Sequence, residues 1–113
     1  MIFDSVPKEL VVYKTNSGKE PFNDWVNKLT LVYKSRIKRL VVRLQHNNFN
    51  DYKFLRCGIY ELRCHFGSGY RVYFGKEAEK IIILLCGGDK STQTKDIEKA
   101  IKYWQDYKET KHD

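Results

Sequence analysis

Hydrophobic and polar positions change their spacing several times along the chain, and each spacing predicts an element. Residues 9–15, ELVVYKT, are rich in β-branched and aromatic side chains and stop at the turn-forming NSG, so they are predicted to form a strand. Pro21 is suited to the first turn of a helix. The apolar residues after it recur at helical spacing and predict a short amphipathic helix: Phe22, Trp25, Val26 and Leu29.

A longer helix is predicted from about residue 31 to residue 46. Its apolar positions fall at i, i+4, i+7, i+8 and i+11 and form a stripe with cations on both sides: Tyr33, Ile37, Leu40, Val41 and Leu44. The stretch NNFND, residues 47–51, favours turns through hydrogen bonds from side chain to backbone and is expected to end this helix.

Residues 61–74, ELRCHFGSGYRVYF, alternate polar and apolar side chains on either side of GSG and predict a β-hairpin. With GSG as a three-residue loop, His65 would pair with Arg71 and Arg63 with Tyr73. Directly opposed residues share a face of the sheet. One face would therefore be apolar, and the other would carry the polar block of Glu61, Arg63, His65, Arg71 and Tyr73.

The apolar run KIIILLC, residues 80–86, predicts a strand covered on both faces, and GGD ends it. A last helix follows, with apolar residues at helical spacing: Ile97, Ala100, Ile101 and Trp104. The order strand, two helices, three strands, helix predicts an α+β fold with a small, mostly antiparallel sheet of about four strands. We expect the two N-terminal helices to pack on one face and the C-terminal helix to complete a single domain over residues 1–113. The other sheet face is expected to stay open to solvent or ligand.

The composition is that of a folded, basic protein. At 113 residues, with 42% hydrophobic and 14% aromatic residues, the chain suits one domain. Its net charge of +7 indicates an anionic partner, and nucleic acid is the commonest one for a small basic domain. Residues 25–50 contain no Asp or Glu and concentrate positive charge on six side chains: Lys28, Lys34, Arg36, Lys38, Arg39 and Arg43. We interpret Arg36, Arg39 and Arg43 as a solvated helix face whose long-range attraction would guide docking to RNA or a ribosome.

The three cysteines, Cys57, Cys64 and Cys86, are an odd number without close pairing, which favours free thiols in a reducing compartment. Cys64 and Cys86 lie in apolar strand patterns and are predicted to be core residues. The spacings that hold zinc are absent, so no metal or other cofactor is predicted. No apolar run approaches the ~18 residues of a membrane span, and a cytoplasmic protein without membrane attachment is expected.

The polar face of the hairpin suits the binding of an anion. Two arginines two rows apart repel each other unless an anion such as a phosphate joins them. Lys90, just past the apolar strand, would aim a further cation at the same patch, and Tyr73 would stack on a base. The alternative interpretation is an exposed strand face that carries arginine and histidine only for solubility.

RNA cleavage needs no metal when the 2′-hydroxyl attacks the adjacent phosphate. The protein must then activate this hydroxyl, neutralise the charge that grows on the phosphorane and protonate the departing 5′-oxygen. Arginine suits the second task because its fork holds phosphate oxygens and stays charged at any working pH. Histidine titrates near neutrality, so His65 suits proton transfer.

Two stretches carry a family resemblance: GIYELRCHFGSGYRVYF, residues 58–74, and IIILLCGGDKSTQTKDIEKAIKYW, residues 81–104. They resemble the RelE/HigB type of toxin from bacterial toxin–antitoxin modules, in particular the branch described as addiction module killer proteins. The resemblance implies a RelE-like fold and a metal-independent endoribonuclease that enters the ribosomal A site and cuts translated mRNA. It also implies a cognate antitoxin of the helix-turn-helix type, whose complex with the toxin would bind the operator DNA of their own operon.

By the same resemblance, Arg71 occupies the position of the family's phosphate-stabilising arginine. Lys90 occupies the position of a second cation after the last strand, and Arg63 occupies the position of the cation in the strand before Arg71. The sequence departs from RelE-type enzymes where many carry a tyrosine after the last strand, since it reads STQTKD there. The histidine-rich tail of some HigB toxins is missing as well. The proton-transfer role is therefore left open among His65, Glu61 and Tyr73.

Two other functions are compatible with these residues. A ParE-like relative would share the fold but inhibit DNA gyrase by protein contact, and it would not need a cationic sheet face beside an aromatic side chain. A nucleic-acid-binding module without chemistry would use the same cations for affinity alone.

Overall fold

The computed structural model of the chain describes residues 6–47 and 51–110. Its strands and helices follow one another as β1 (Glu9–Val12), α1 (Pro21–Val26), α2 (Leu31–Gln45), β2 (Tyr52–Phe54), β3 (Ile59–Arg63), β4 (Arg71–Glu77), β5 (Ile81–Gly88), a short 3₁₀ turn (Lys90–Thr92) and α3 (Gln93–Thr110). The three predicted helices are confirmed. In the predicted turn NNFND, Asn47 adopts a left-handed conformation with φ 58°, and residues 48–50 lie outside the described residues.

Within the described residues, five strands form one sheet in the order β1-β5-β4-β3-β2. β1 runs parallel to β5, and the other neighbours are antiparallel. The predicted α+β fold with a mostly antiparallel sheet is thus confirmed. The sequence pattern missed β2, because three residues are too few to show an alternation.

Helices cover both faces of the sheet. Phe22 of α1 and Ile37 of α2 pack with Leu84 of β5 on one face. On the other face, Ala100 and Trp104 of α3 pack in a second cluster with the adjoining residues of β5. The expectation of an open face is wrong, because the apolar run of β5 points buried side chains in both directions and α3 supplies the second cover. No helix in the described part of the chain is both long and apolar enough to cross a bilayer.

A glycine in β4 lets α3 approach closely. A Cβ atom at Gly75 would collide with the ring of Trp104, whose side chain is only 6% exposed.

The free cysteines agree with the sequence pattern. Cys64 and Cys86 are buried, and burial raises the pKa of each thiol to about 12, whereas Cys57 is exposed.

The predicted register of the hairpin is wrong by two residues. Arg63 pairs with Arg71, and Glu61 pairs with Tyr73. The connection is longer than GSG because the chain bends before it: His65 has φ 60°, and the following Phe66 stacks on Tyr33 of α2 at 5.8 Å between ring centroids. A shift of two residues keeps every side chain on its predicted face, since side chains alternate with a period of two.

Candidate functional site

Arg63 and Arg71 lie directly opposite each other where β3 ends and β4 begins. Directly opposed side chains project from the same face with Cβ atoms about 4.5–5.5 Å apart, so the prediction that these arginines share a face is confirmed. Arg71 is anchored to the hairpin loop, because its Nη1 donates a hydrogen bond of 2.8 Å to the carbonyl of Gly69. The side chain is 39% exposed at Arg63 and 15% exposed at Arg71.

Lys90 reaches the same loop from the end of β5. Its backbone N–H donates to the carbonyl of Ser68 at 3.2 Å. A Cβ atom at Gly69 would lie 3.2 Å from Lys90 Cβ and 3.3 Å from Arg71 Nη1, so this glycine separates the two cationic residues. Among the described residues, the Lys90 ammonium has no hydrogen-bond or ion-pair partner. The structure therefore brings Lys90 and Arg71 together, with Arg63 beside them.

Asp89 fixes the turn that carries Lys90. One of its carboxylate oxygens accepts hydrogen bonds from the N–H of Ser91 at 2.9 Å and from the hydroxyl of Ser91 at 2.6 Å. The other accepts from the hydroxyl of Ser68 at 3.1 Å, which ties the turn to the hairpin loop. These hydrogen bonds hold the pKa of Asp89 below its ordinary value, so the carboxylate is ionised at neutral pH.

Carboxylates accompany both arginines. Arg63 Nη2 donates to Asp51 Oδ1 at 2.9 Å, and Arg71 Nε lies 3.5 Å from Glu61 Oε2. The guanidinium groups are therefore less free than the sequence pattern predicts, and the local positive field is partly neutralised. Each fork nevertheless has five N–H donors, and the contacts with protein groups engage only some of them.

Asp51 also contacts His65, through a close contact between Asp51 Oδ2 and His65 Nε2. The hydrogen bond with His65, followed by that with Arg63, holds the pKa of Asp51 below its ordinary value. The His65 side chain is exposed, so its second ring nitrogen can reach a ligand. Sequence reasoning missed Asp51, because only the pairing of β2 with β3 places it opposite Arg63, whose N–H donates to the Asp51 carbonyl at 2.9 Å.

Glu61 and Tyr73 are buried and cannot contact substrate as predicted. They are 1% and 0% exposed, because α3 covers their face of the sheet. The Tyr73 hydroxyl donates to Glu61 Oε2 at 3.0 Å. Burial and then the Glu61 carboxylate raise the pKa of Tyr73 far above its ordinary value, so the phenol stays protonated. A base-stacking or proton-transfer role for Tyr73 therefore disagrees with its position.

The arginines of α2 lie on a different surface. The guanidinium carbon of Arg36 sits 4.1 Å from the centroid of the Phe66 ring, which places it next to the hairpin loop. Arg39 and Arg43 are exposed and follow at one and two helical turns, so Arg43 lies about 10 Å further along the helix axis. The structure thus places Arg36 next to the hairpin loop and leaves Arg39 and Arg43 along the outer face of α2.

The cluster can bind a phosphate from several sides. Arginine forks donate paired hydrogen bonds to phosphate oxygens, and a lysine adds a point charge. We use the name cationic cluster for Arg63, Arg71 and Lys90 together. Within the described residues, no group of three or more His, Cys, Asp or Glu side chains is placed to hold a metal ion.

Comparison with known proteins identifies a family and a relative. A family model described as "Phage derived protein Gp49-like" matches residues 24–105, a span that contains β2 to β5, the cationic cluster and most of α3. An uncharacterised protein from Haemophilus influenzae is 50% identical over 80 residues, which is 70% of this chain and 81% of that protein.

Proposed function

The chain belongs to the Gp49-like family of phage-derived proteins, which is associated with toxin–antitoxin modules, and we propose that it is the toxin of such a module. In this proposal it is a ribosome-dependent endoribonuclease that cuts translated mRNA and thereby stops translation. A cognate antitoxin of the helix-turn-helix type neutralises it, and the complex of the two proteins binds operator DNA. The RelE/HigB resemblance supplies the reaction and these partners.

The observation that carries this proposal is the meeting of Arg63, Arg71 and Lys90 around the hairpin loop. They come from β3, β4 and the turn after β5, so the fold and not local sequence brings them together. Cations from separate rigid elements suit the non-bridging and bridging oxygens of a scissile phosphate, whose charge increases in the transition state. An arrangement made only for solubility would have no reason to converge in this way.

The chemistry follows from the position of each group. The 2′-oxygen forms a bond to phosphorus while the bond from phosphorus to the 5′-oxygen breaks, which leaves a 2′,3′-cyclic phosphate and a 5′-hydroxyl end. The ionised Asp51 accepts a hydrogen bond from His65 Nε2–H, so His65 Nδ1 is free to accept the proton of the 2′-hydroxyl. The departing 5′-oxygen takes a proton from water. The cationic cluster stabilises the phosphorane between these steps.

Docking to the ribosome uses a wider surface. Arg36, Arg39 and Arg43 are exposed on α2, and Arg36 borders the hairpin loop. In this proposal they contact the backbone of ribosomal RNA, and they add to the electrostatic attraction of a chain with net charge +7.

Cleavage in a reconstituted translation system tests the proposal. The purified chain is added to ribosomes that translate a defined message, and the cut ends are mapped. We expect cuts within the reading frame that require translation, with a 5′-hydroxyl on the downstream product. A message that stays intact on translating ribosomes would refute the proposal.

A parallel assay of supercoiling by purified DNA gyrase separates the ParE-like alternative. Inhibition of gyrase together with an intact message would replace the ribonuclease proposal. Binding of RNA without any cut product would instead indicate a module that has the same cations but performs no chemistry.

A further inference from the structure

Glu61 is a buried carboxylate directly behind the cationic cluster. It lies in β3 two residues before Arg63 and is 1% exposed. Removing an ionised carboxylate from water is strongly unfavourable unless charged and polar partners replace the water. A buried acid at this position therefore needs an explanation in terms of the groups that it contacts.

Two hydrogen-bond donors and one cation, from two other elements, converge on one oxygen of this carboxylate. The hydroxyl of Tyr73 in β4 donates to Glu61 Oε2 at 3.0 Å, and the side-chain amide of Gln93 donates to the same atom at 2.8 Å. Arg71 Nε lies 3.5 Å from it. Glu61 thus connects β3 with β4 and with the first residue of α3.

The contact with Arg71 is ionic and sets the direction of the guanidinium group. Arg71 Nε is buried and makes no hydrogen bond of good geometry among the described residues, so charge attraction across 3.5 Å holds this edge of the fork. The Gly69 carbonyl holds Nη1 at 2.8 Å. With these two edges fixed, the remaining N–H groups of Arg71 are those available to a phosphate.

The contact with Gln93 acts on the segment after β5. Gln93 directly follows the 3₁₀ turn Lys90–Thr92, so its hydrogen bond to Glu61 fastens this turn to the sheet. One buried carboxylate is therefore linked to both Arg71 and the segment that carries Lys90, although these residues belong to different elements.

We propose that Glu61 is a positioning residue, which orients the guanidinium of Arg71 directly and, through Gln93, the turn of Lys90, so that both cations point at one phosphate. This inference rests on the proposed function, since these are the groups assigned to the scissile phosphate. Glu61 itself touches no substrate. Its role is to keep the cluster assembled before RNA arrives, as efficient transition-state stabilisation requires.

The test uses the full chain with Glu61→Gln, which keeps the shape and one acceptor oxygen but removes the charge. The first readout is the ¹H–¹⁵N resonance of Arg71 Nε in solution, assigned by its loss in Arg71→Lys. In the wild type we expect slow exchange of this proton with water. In Glu61→Gln we expect exchange on the order of tenfold faster, because a contact with a charged group is lost, while the backbone amides of β3 and β4 stay protected.

The second readout is the rate of message cleavage on translating ribosomes. Misplacing a positioned group by a small distance costs on the order of a hundredfold in rate, and we expect a fall of this size in kcat for Glu61→Gln. Glu98→Gln is the matched control, because it removes the same charge from an exposed position on α3. It should leave both readouts unchanged.

A Glu61→Gln variant that folds but retains the slow Arg71 exchange, or cuts as fast as the wild type, would overturn the inference.

If Glu61→Gln does not fold, Gln93→Ala tests the inference instead, since Gln93 is only half-buried. It should lower cleavage on the order of tenfold while the Arg71 exchange stays slow, and wild-type cleavage by Gln93→Ala would contradict the inference. A wild-type chain that cuts no message would refute the proposed function instead, and the exchange of Arg71 would still report whether Glu61 holds it.

Discussion

Asp51 and Glu61 are both carboxylates that contact an arginine, yet their surroundings give them different physical roles. Glu61 is 1% exposed and its donors replace water, so its removal would leave buried groups without partners. The Asp51 side chain is 37% exposed, and solvent screens its contacts with Arg63 and His65. We therefore expect substitution of Asp51 to affect chemistry more than folding.

Asp51→Asn tests this expectation. The variant loses the negative charge that orients His65, and we expect cleavage to fall on the order of a hundredfold, as for the loss of an aligned general base. The thermal midpoint at neutral pH should change little. Unchanged cleavage would show that the contact between Asp51 and His65 does not serve proton transfer.

Asp51→Asn should also change how much folding stability the protein loses at acidic pH. The hydrogen bonds to Asp51 lower its pKa in the folded state from the ordinary value of 3.8. A lowered pKa contributes stability that is present above pH 3.8 and is lost as the pH falls through the value of the folded state. Between pH 5 and pH 2, the wild type should therefore lose slightly more stability than Asp51→Asn, as followed by circular dichroism during acid titration. Equal loss would contradict the contact with His65 and Arg63.

At the level of elements, the site depends on how α3 is seated on the sheet. The helix starts directly after the turn of Lys90, and its Trp104 lies against Gly75 in β4. Glycine is needed there because any Cβ atom would collide with the indole ring. Close packing in the C-terminal half of α3 thus sets the position of the helix that begins beside the cationic cluster.

Gly75→Ala should force the helix and the sheet apart. Inserting a methyl group into a packed core costs about 1–3 kcal/mol, and we expect the free energy of unfolding, measured with urea, to fall by this amount. Lys102→Ala is the control, since it alters the exposed side of the same helix. It should change the free energy by less than about 0.5 kcal/mol. Equal stability of Gly75→Ala and the wild type would refute the close approach of Trp104.

Elements with many periodic residues could be predicted from the sequence, and contacts between elements could not. The apolar stripe of α2 and the apolar run of β5 determined these elements almost to their ends. The register of β3 with β4 could not be predicted, because it depends on the stacking of Phe66 on Tyr33 of α2. An alternating pattern of polar and apolar residues does not show this contact between elements.

For the site, the shared face of Arg63 and Arg71 follows from the period of a strand. The burial of Glu61 and Tyr73 does not, since it depends on α3 docking from a distant part of the chain. Asp51 was missed for a similar reason, because β2 is too short to reveal that it pairs with β3.

At the scale of the whole molecule, the net charge of +7 provides attraction while the cluster provides a defined site. The two contributions to RNA affinity can be distinguished by how strongly the affinity depends on salt concentration. Each phosphate neutralised on a single strand adds about 0.7 to the slope of log affinity against log salt, so three contacts predict a slope of about −2. Arg71→Ala should reduce its magnitude by about 0.7, as measured by fluorescence anisotropy with single-stranded RNA. A slope that Arg71→Ala leaves unchanged would exclude Arg71 from phosphate contact.

The central claim is that Arg71, together with Arg63 and Lys90, stabilises a phosphate as an RNA strand is cut. The most direct measurement compares cleavage of a translated message by Arg71→Ala and by Arg56→Ala, which removes the same charge from an exposed turn before β3. Loss of a transition-state contact of this kind costs on the order of a hundredfold in rate. We predict a loss of at least this size for Arg71→Ala and a rate close to the wild type for Arg56→Ala, whereas an Arg71→Ala variant as fast as the wild type would contradict the claim.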